Sequence, residues 1–251
     1  MIQFQEISFK YPNGKFAVQD LTFSIEKGEC FVLIGPSGCG KTTTIKLLNR
    51  LIKPTDGVIL YEGVNIKEFD EFKLRRDFGY VLQQIALFPH LNVEENISIV
   101  PELKKWDKER IKRRVSELLK QVKLNPEDYK KRMISDLSGG QQQRIGVARA
   151  LAGDPSVLLM DEPFSALDPV NREQLQRDLK YLKDQINKTI LFVTHDLQEA
   201  FYLGDRIGIM HDGELVQIGT KDELLNNPVN QFVEQFISSY KERNVVEGGV
   251  S

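Results

Sequence analysis

A chain of 251 residues with 41% apolar side chains has the material for one large domain or two smaller lobes around a buried core. Its 34 basic and 36 acidic side chains leave a net charge of −2, which excludes a global basic field aimed at nucleic acid. No apolar run approaches the roughly 20 residues that span a bilayer, and the opening MIQFQEISFK has neither region of a secretory signal.

From the amino terminus, IQFQEISFKY (2–11) and LTFSIEKG (21–28) alternate apolar and polar residues, and PNG and KG supply turns. This end is therefore predicted to form β-strands. CFVLIG (30–35) is apolar at successive positions, as a strand buried on both faces must be. Similar runs recur at VLLM (157–160), ILFV (190–193) and IGIM (207–210), mostly with helical patterns between them. That order predicts an α/β fold with a parallel sheet. The two cysteines, Cys30 and Cys39, lack metal-ligand spacing and predict a reduced, cytosolic setting that leaves room for a membrane-bound partner.

GPSGCGKTT (35–43) follows the CFVLI strand directly and opens a helical run, TTIKLLNRL. This is the G-x-x-x-x-G-K-[ST] spacing in the strand–loop–helix context that gives it meaning. Gly35, Gly38 and Gly40 let the backbone wrap so that N–H groups converge on phosphate oxygens, and the helix start near Lys41 adds its positive end. Pro36, Ser37, Cys39 and Thr43 complete the predicted cradle. Lys41 is placed to reach the β- and γ-phosphates and the Thr42 hydroxyl to coordinate Mg²⁺. No base is placed to turn Cys39 into a nucleophile.

From Glu102 to Arg132 there are twelve Lys/Arg and six Asp/Glu. Ile111, Val115, Leu118, Leu119 and Val122 form one helical stripe there, so the segment reads as a solvated amphipathic helix of a small helical lobe. A basic docking surface for nucleic acid or lipid headgroups is the alternative. LSGGQQQR (137–144) reads by itself as a loop ending at a helix start. In VLLMDEP, a strand ends in Asp161 and Glu162, and Pro163 keeps it from continuing. The carboxyl ends of strands are where chemistry gathers in an open α/β sheet. Asp161 is thus expected to hold Mg²⁺ through water and Glu162 to polarise an attacking water. Asp168–Pro169 reads as an N-cap followed by Pro at N1. TILFVTHD brings His195 to another strand tip, within reach of a γ-phosphate or the attacking water, and Asp196 with Glu199 is expected to form a capping box.

In this order the motifs resemble those of the ATP-binding-cassette (ABC) ATPases. LSGGQ looks like that family's signature sequence, and the match runs from Tyr11 to VQIGTKDELL. The resemblance implies a P-loop NTPase core with a mostly parallel sheet, an N-terminal antiparallel β subdomain and a helical subdomain. It implies one cassette over 1–240, with the helical subdomain at about 85–155, and a tail at 241–251. Tyr11 would stack on adenine, with packing into a core as its plain alternative. Gln83, with Gln84 as its competitor, would contact Mg²⁺ and the water where the cassette meets its membrane partner. Glu162 would be the general base, with Lys41, Gln83 and His195 as the other catalytic residues. Thr42, Gln83 and Asp161 would hold the metal. Ser138, Gly139, Gly140 and Gln141 would face the γ-phosphate of ATP bound by a second copy, and Asp168 would communicate across that dimer interface.

The chain is similar, more closely still, to ATPase subunits of quaternary-amine osmoprotectant importers. LNRLIKPTDG, GYVLQQIALFPHLNVEENI and VPELKKWDKERIKRRVSELL carry that likeness. It implies ATP and Mg²⁺ as cofactors, integral membrane permease subunits as partners, and a solute-binding protein acting through the permease. It implies no nucleic acid, and a peripheral location on the cytoplasmic face of the membrane. Many members append a pair of regulatory modules after the cassette. The sequence to Ser251 leaves no room for them, so it is expected to be either a piece of a longer subunit or a member without them.

Overall fold

A computed structural model describes residues 1–247, which divide into two compact units: Met1–Glu68 with the described residues from Leu191 on, and Phe69–Ile190. In chain order the first unit begins with β1 (Ile2–Lys10), β2 (Phe16–Ile25), β3 (Cys30–Ile34), α1 (Lys41–Leu48), β4 (Asp56–Tyr61) and β5 (Val64–Asn65). The second holds α2 (Glu71–Asp77), β6 (Phe78–Val81), α3 (Val93–Leu103), α4 (Lys108–Gln121), α5 (Pro126–Tyr129), α6 (Gly139–Ala152), β7 (Val157–Asp161) and α7 (Pro169–Ile186). After β8 (Thr189–Thr194), the first unit closes with α8 (Leu197–Leu203), β9 (Arg206–His211), β10 (Glu214–Gly219), α9 (Lys221–Asn226) and α10 (Gln231–Glu247).

The first unit contains an antiparallel sheet in the order β2-β1-β4-β5 and strands in the order β10-β9-β3-β8. β1 alternates as its sequence predicts, with Ile2 and Phe4 buried and Gln3 and Gln5 exposed. Phe4 stacks on Phe23 at 4.4 Å and Phe23 on Phe31 at 5.0 Å, so the two sheets share one aromatic column. β3 is buried throughout, the pattern of a strand covered on both faces. It pairs in parallel with β9, while β10 returns antiparallel along β9.

In the second unit β6 and β7 are parallel neighbours. α4 buries Ile111, Val115, Leu118 and Leu119, with Val122 buried just past its end. The charged remainder of that segment is solvated or paired, locally where Arg110 lies 3.5 Å from the Trp106 ring centroid and at longer range where Lys123 meets Asp178 (2.6 Å) and Arg114 donates to the Leu151 carbonyl (2.9 Å). The predicted tail at 241–251 continues as α10 as far as Glu247, and 248–251 lie outside the described residues. Among the described residues no helix is long and apolar enough to cross a membrane.

Candidate functional site

In the first unit the site grows from the β3–β9 register. Ile34 pairs with Ile209, so Gly35 emerges beside Met210. A Cβ on Gly35 would lie 2.1 Å from the Met210 carbonyl oxygen and 2.8 Å from Cys39 Sγ, which leaves space for glycine only. Gly38 and Gly40 hold φ of +83° and +106°, left-handed conformations that turn the loop back on itself. Gly40 is also the residue before the first turn of α1.

Lys41 opens α1 and is 4% exposed. Its Nζ donates to the carbonyls of Gly35 (2.7 Å) and Pro36 (3.0 Å), so the ammonium sits inside the curl of the loop. Pro36, Ser37 and Gly38 form the exposed outer turn, Thr42 is half-buried, and Thr43 is buried. Cys39 is buried with Sγ 3.8 Å from Lys41 Nζ. Burial pushes its thiol up from the ordinary range and the Lys41 charge pulls it part of the way back. A thiol held protonated is a packing residue, in line with its sequence reading.

Two more predicted residues belong to this unit. Tyr11 follows β1 and is 46% exposed, edge-on to Phe9 at 5.2 Å. Its ring is not core, so the plain alternative of core packing does not describe it. His195 is exposed immediately after β8. Asp196 caps α8 as expected, accepting from the backbone N–H groups of Gln198 and Glu199. The reciprocal half of the expected capping box is not made. The Glu199 carboxylate instead accepts the Thr194 hydroxyl, which the sequence reading did not consider.

In the second unit the β6–β7 register does the positioning. Val81 pairs with Met160, so Gln83 and Glu162 both lie two residues beyond a matched pair. Gln83 Nε2 donates to Glu162 Oε2 at 3.3 Å, which marks Gln83 as the one of the two glutamines placed against this carboxylate. Asp161 is 3% exposed while Glu162 is half-buried, because the chain turns sharply at Glu162, where φ is +44°. Tyr80, which the sequence reading missed, hydrogen-bonds Asp161 from the neighbouring strand. Burial first, and then the Asp161 carboxylate, hold its phenol above the usual range. No local signal in GYVLQQ shows this, since it depends on which strand lies alongside.

Ser138 caps α6 in a complete capping box: Gln141 N donates to Ser138 Oγ (3.3 Å) and Ser138 N to Gln141 Oε1 (3.0 Å). Gly139 and Gly140 form the first turn, where a Cβ on Gly140 would lie 3.4 Å from Asn171 Oδ1. Asp168 caps α7 through Asn171 N (3.1 Å), with Pro169 in the first helical position as read from sequence. The side-chain amide of Asn171 also holds the Asp168 carboxyl below the usual carboxylate range.

The first unit thus presents a cationic, N–H-rich curl suited to phosphate oxygens. The second presents a buried carboxylate beside a more open one that carries an amide partner, a set suited to a cation and a polarised water. In the second unit Gln83 and Asp161 offer oxygen atoms, the chemistry Mg²⁺ favours when it keeps most of its waters, and in the first unit Thr42 offers a hydroxyl. Among the described residues no group of three or more His, Cys, Asp or Glu stands ready to hold a metal by itself.

The sequence pattern of the ABC transporter family matches residues 18–165. The chain is 56% identical over 243 residues to the glycine betaine/carnitine/choline transport ATP-binding protein OpuCA of Bacillus subtilis (strain 168), covering 97% of this chain and 63% of that protein. It is 55% identical over 237 residues to the carnitine transport ATP-binding protein OpuCA of Listeria monocytogenes serotype 1/2a (strain 10403S), covering 94% and 59%. The chain therefore spans about three fifths of the length of these curated relatives. Among solved structures it resembles the dimeric ATP-binding cassette MJ0796 bound to ADP and Pi, with a TM-score of 0.78 and 34% identity, covering 88% of this chain and 98% of that one.

Proposed function

The chain belongs to the ABC transporter family, and from that premise we propose that it is the ATP-hydrolysing subunit of an importer for a quaternary-amine osmoprotectant such as glycine betaine, carnitine or choline. The observation that carries the substrate class is its identity to the betaine, carnitine and choline ATP-binding proteins along nearly its whole length. Residues 1–240 act in this reading as one cassette with a helical subdomain at about 85–155. Two copies close around ATP and drive integral membrane permease subunits from the cytoplasmic face, with a solute-binding protein delivering the solute to the permease.

The residues take the following roles in this reading. Tyr11 stacks on adenine, and residues 35–43 wrap the phosphates with Lys41 neutralising the β- and γ-oxygens. Thr42, Gln83 and Asp161 hold Mg²⁺, which when bound supplies positive charge to the phosphate oxygens. Glu162 polarises the attacking water, oriented through Gln83, and His195 contacts the γ-phosphate. Ser138 to Gln141 address the nucleotide bound by the second copy, with the α6 N-terminus behind them, and Asp168 carries the signal between copies. Electrostatic complementarity to the bound nucleotide favours closure.

A non-transport ATP-switched clamp would have little use for a hydrolytic carboxylate, and Glu162 with its Gln83 partner argues for turnover. The test is reconstitution in liposomes with a quaternary-amine permease and its binding protein. Glycine betaine, carnitine or choline is expected to stimulate ATP hydrolysis and to enter the vesicles. Stimulation by another solute class and by none of these would overturn the substrate reading while leaving the ATPase reading intact.

A further inference from the structure

The connection from α1 to β4 is short and held at several points. Past the helix end Arg50 turns the chain at φ +52°, and the N–H groups of Leu51 and Ile52 both donate to the Lys46 carbonyl, at 2.9 and 3.4 Å. Thr55 N then donates to Ser8 O (2.8 Å) and Thr55 Oγ1 accepts from Lys10 N (2.9 Å), which fixes the entry into β4 beside its neighbour β1. After β5 the chain continues into a single 3-10 turn at Ile66–Glu68. Between these pieces lies a cavity of about 270 Å³, lined by residues between 47 and 67 and so wholly within the first unit.

Protein interiors hold few voids larger than a water molecule, and this one has room for about nine at roughly 30 Å³ each. Its floor is aliphatic, because Leu47, Ile59 and Ile66 line it and all three are buried. Water over such a floor lacks the polar partners that hold an ordered water, so an apolar group displaces it favourably. The half-buried Arg50 and the exposed Lys53 and Lys67 also line the cavity, and among the described residues no Asp or Glu does. Three cations beside an aliphatic floor select a ligand charged at one end and apolar at the other. No aromatic ring is among the lining residues described, so a nucleobase would find nothing to stack on. The site is also separate from the phosphate cradle, since the eight residues Lys41–Leu48 put about 12 Å of helix between the Lys41 end and this one.

We propose that this cavity is a second ligand site, which takes a small free carboxylate with an aliphatic body. The chain lies on Leu47, Ile59 and Ile66, and the carboxylate lies among Arg50, Lys53 and Lys67.

The probe is octanoate, titrated into the intact protein with labelled isoleucine methyl groups and followed by NMR. The Ile59 and Ile66 methyl signals are expected to shift saturably, with a Kd of about 1 mM or tighter for a ligand of this size. Octan-1-ol keeps the chain without the charge and acetate keeps the charge without the chain, so each should bind roughly 10-fold more weakly or worse. Lys53→Glu with Lys67→Glu reverses two exposed charges and leaves the floor intact. That double variant should weaken octanoate roughly 10-fold or more. Ile66→Phe fills the floor and should remove binding. Lys41→Ala should leave octanoate affinity within about twofold, because its ammonium belongs to the cradle.

No saturation at about ten times the expected Kd would overturn the proposal, as would shifts confined to methyl groups outside the cavity. Equal affinity for octanoate and octan-1-ol, unchanged affinity in the double lysine variant, or loss of binding in Lys41→Ala would overturn it too. Should Ile66→Phe fail to fold, the exposed lysines still decide the matter. Cosedimentation with phosphatidylglycerol vesicles that the double variant loses and octanoate does not displace would assign these cations to a lipid surface instead, and would overturn the proposal.

Discussion

At the scale of single residues, Glu162 holds φ of +44°, a conformation that costs a non-glycine residue on the order of 1 kcal/mol or more. Ser165 offsets part of this by donating to the Glu162 carbonyl from both its backbone N–H (3.2 Å) and its hydroxyl (3.0 Å). The turn separates two adjacent carboxylates into different environments, burying Asp161 and leaving Glu162 open to water and to Gln83. Glu162→Gln keeps an acceptor for the Gln83 amide and removes the base. It is expected to retain ATP binding, to lower single-turnover hydrolysis by roughly 10²–10⁴ and to accumulate an ATP-bound dimer on size exclusion. Hydrolysis at more than about a tenth of the wild-type rate would take Glu162 out of the role.

At the scale of elements, the loop from Gln83 to Asn92 forms no strand; a bridge from Asn92 to Met133 ties its end, and side chains hold much of the rest. Asn96, fully buried in α3, accepts from Phe88 N (2.8 Å) and donates to the carbonyls of Phe88 (3.1 Å), Leu91 (3.1 Å) and Asn92 (3.0 Å). Arg149 donates to Ala86 O at 2.5 Å from α6, and desolvation holds its guanidinium below the usual range. One buried amide thus does for this loop what a strand partner would do. Asn96→Ala is expected to destabilise the protein by about 1–3 kcal/mol, because it removes the side-chain partner of the part-buried Phe88 N–H and Leu91 carbonyl. A urea midpoint unchanged from wild type would show that the loop finds other partners. A larger fall in turnover than in nucleotide affinity is also expected, since the loop begins at Gln83.

At the scale of the whole molecule, the two halves of the proposed chemistry sit in different places relative to the nucleotide: the 35–43 cradle in the copy that binds it, Ser138 to Gln141 in the other. Ser138→Arg is expected to leave ATP binding by the isolated chain nearly intact while removing ATP-dependent dimerisation and hydrolysis. Lys41→Ala is expected to weaken nucleotide binding itself, because it deletes the charge inside the curl. A mixture of the two variants makes one hybrid site with an intact cradle and an intact signature, and should recover hydrolysis that neither variant shows alone. Full hydrolysis by Ser138→Arg at a concentration too low for dimers would show the site to be complete within one copy.

The elements that carry the proposed site were legible in the sequence wherever the signal is local. Buried runs announced β3, β7, β8 and β9, the 3.6-residue stripe announced α4, and Asp168–Pro169 announced the start of α7. Glycine spacing after a buried strand was enough to place the 35–40 curl before α1, because φ and chain reversal are properties of a few consecutive residues. Short β6 and half-buried β10 went unassigned, since four residues or a mixed burial pattern carry little period. Tertiary structure alone decided the contacts that depend on strand register. It set Gly35 against the Met210 carbonyl, chose Gln83 over Gln84 as the partner of Glu162, and brought the Tyr80 phenol to Asp161. It also sent Glu199 to Thr194 rather than back to Asp196. A residue's chemistry is written in its own side chain, but its partner is fixed by which strand or turn arrives beside it, and that depends on the packing of distant segments.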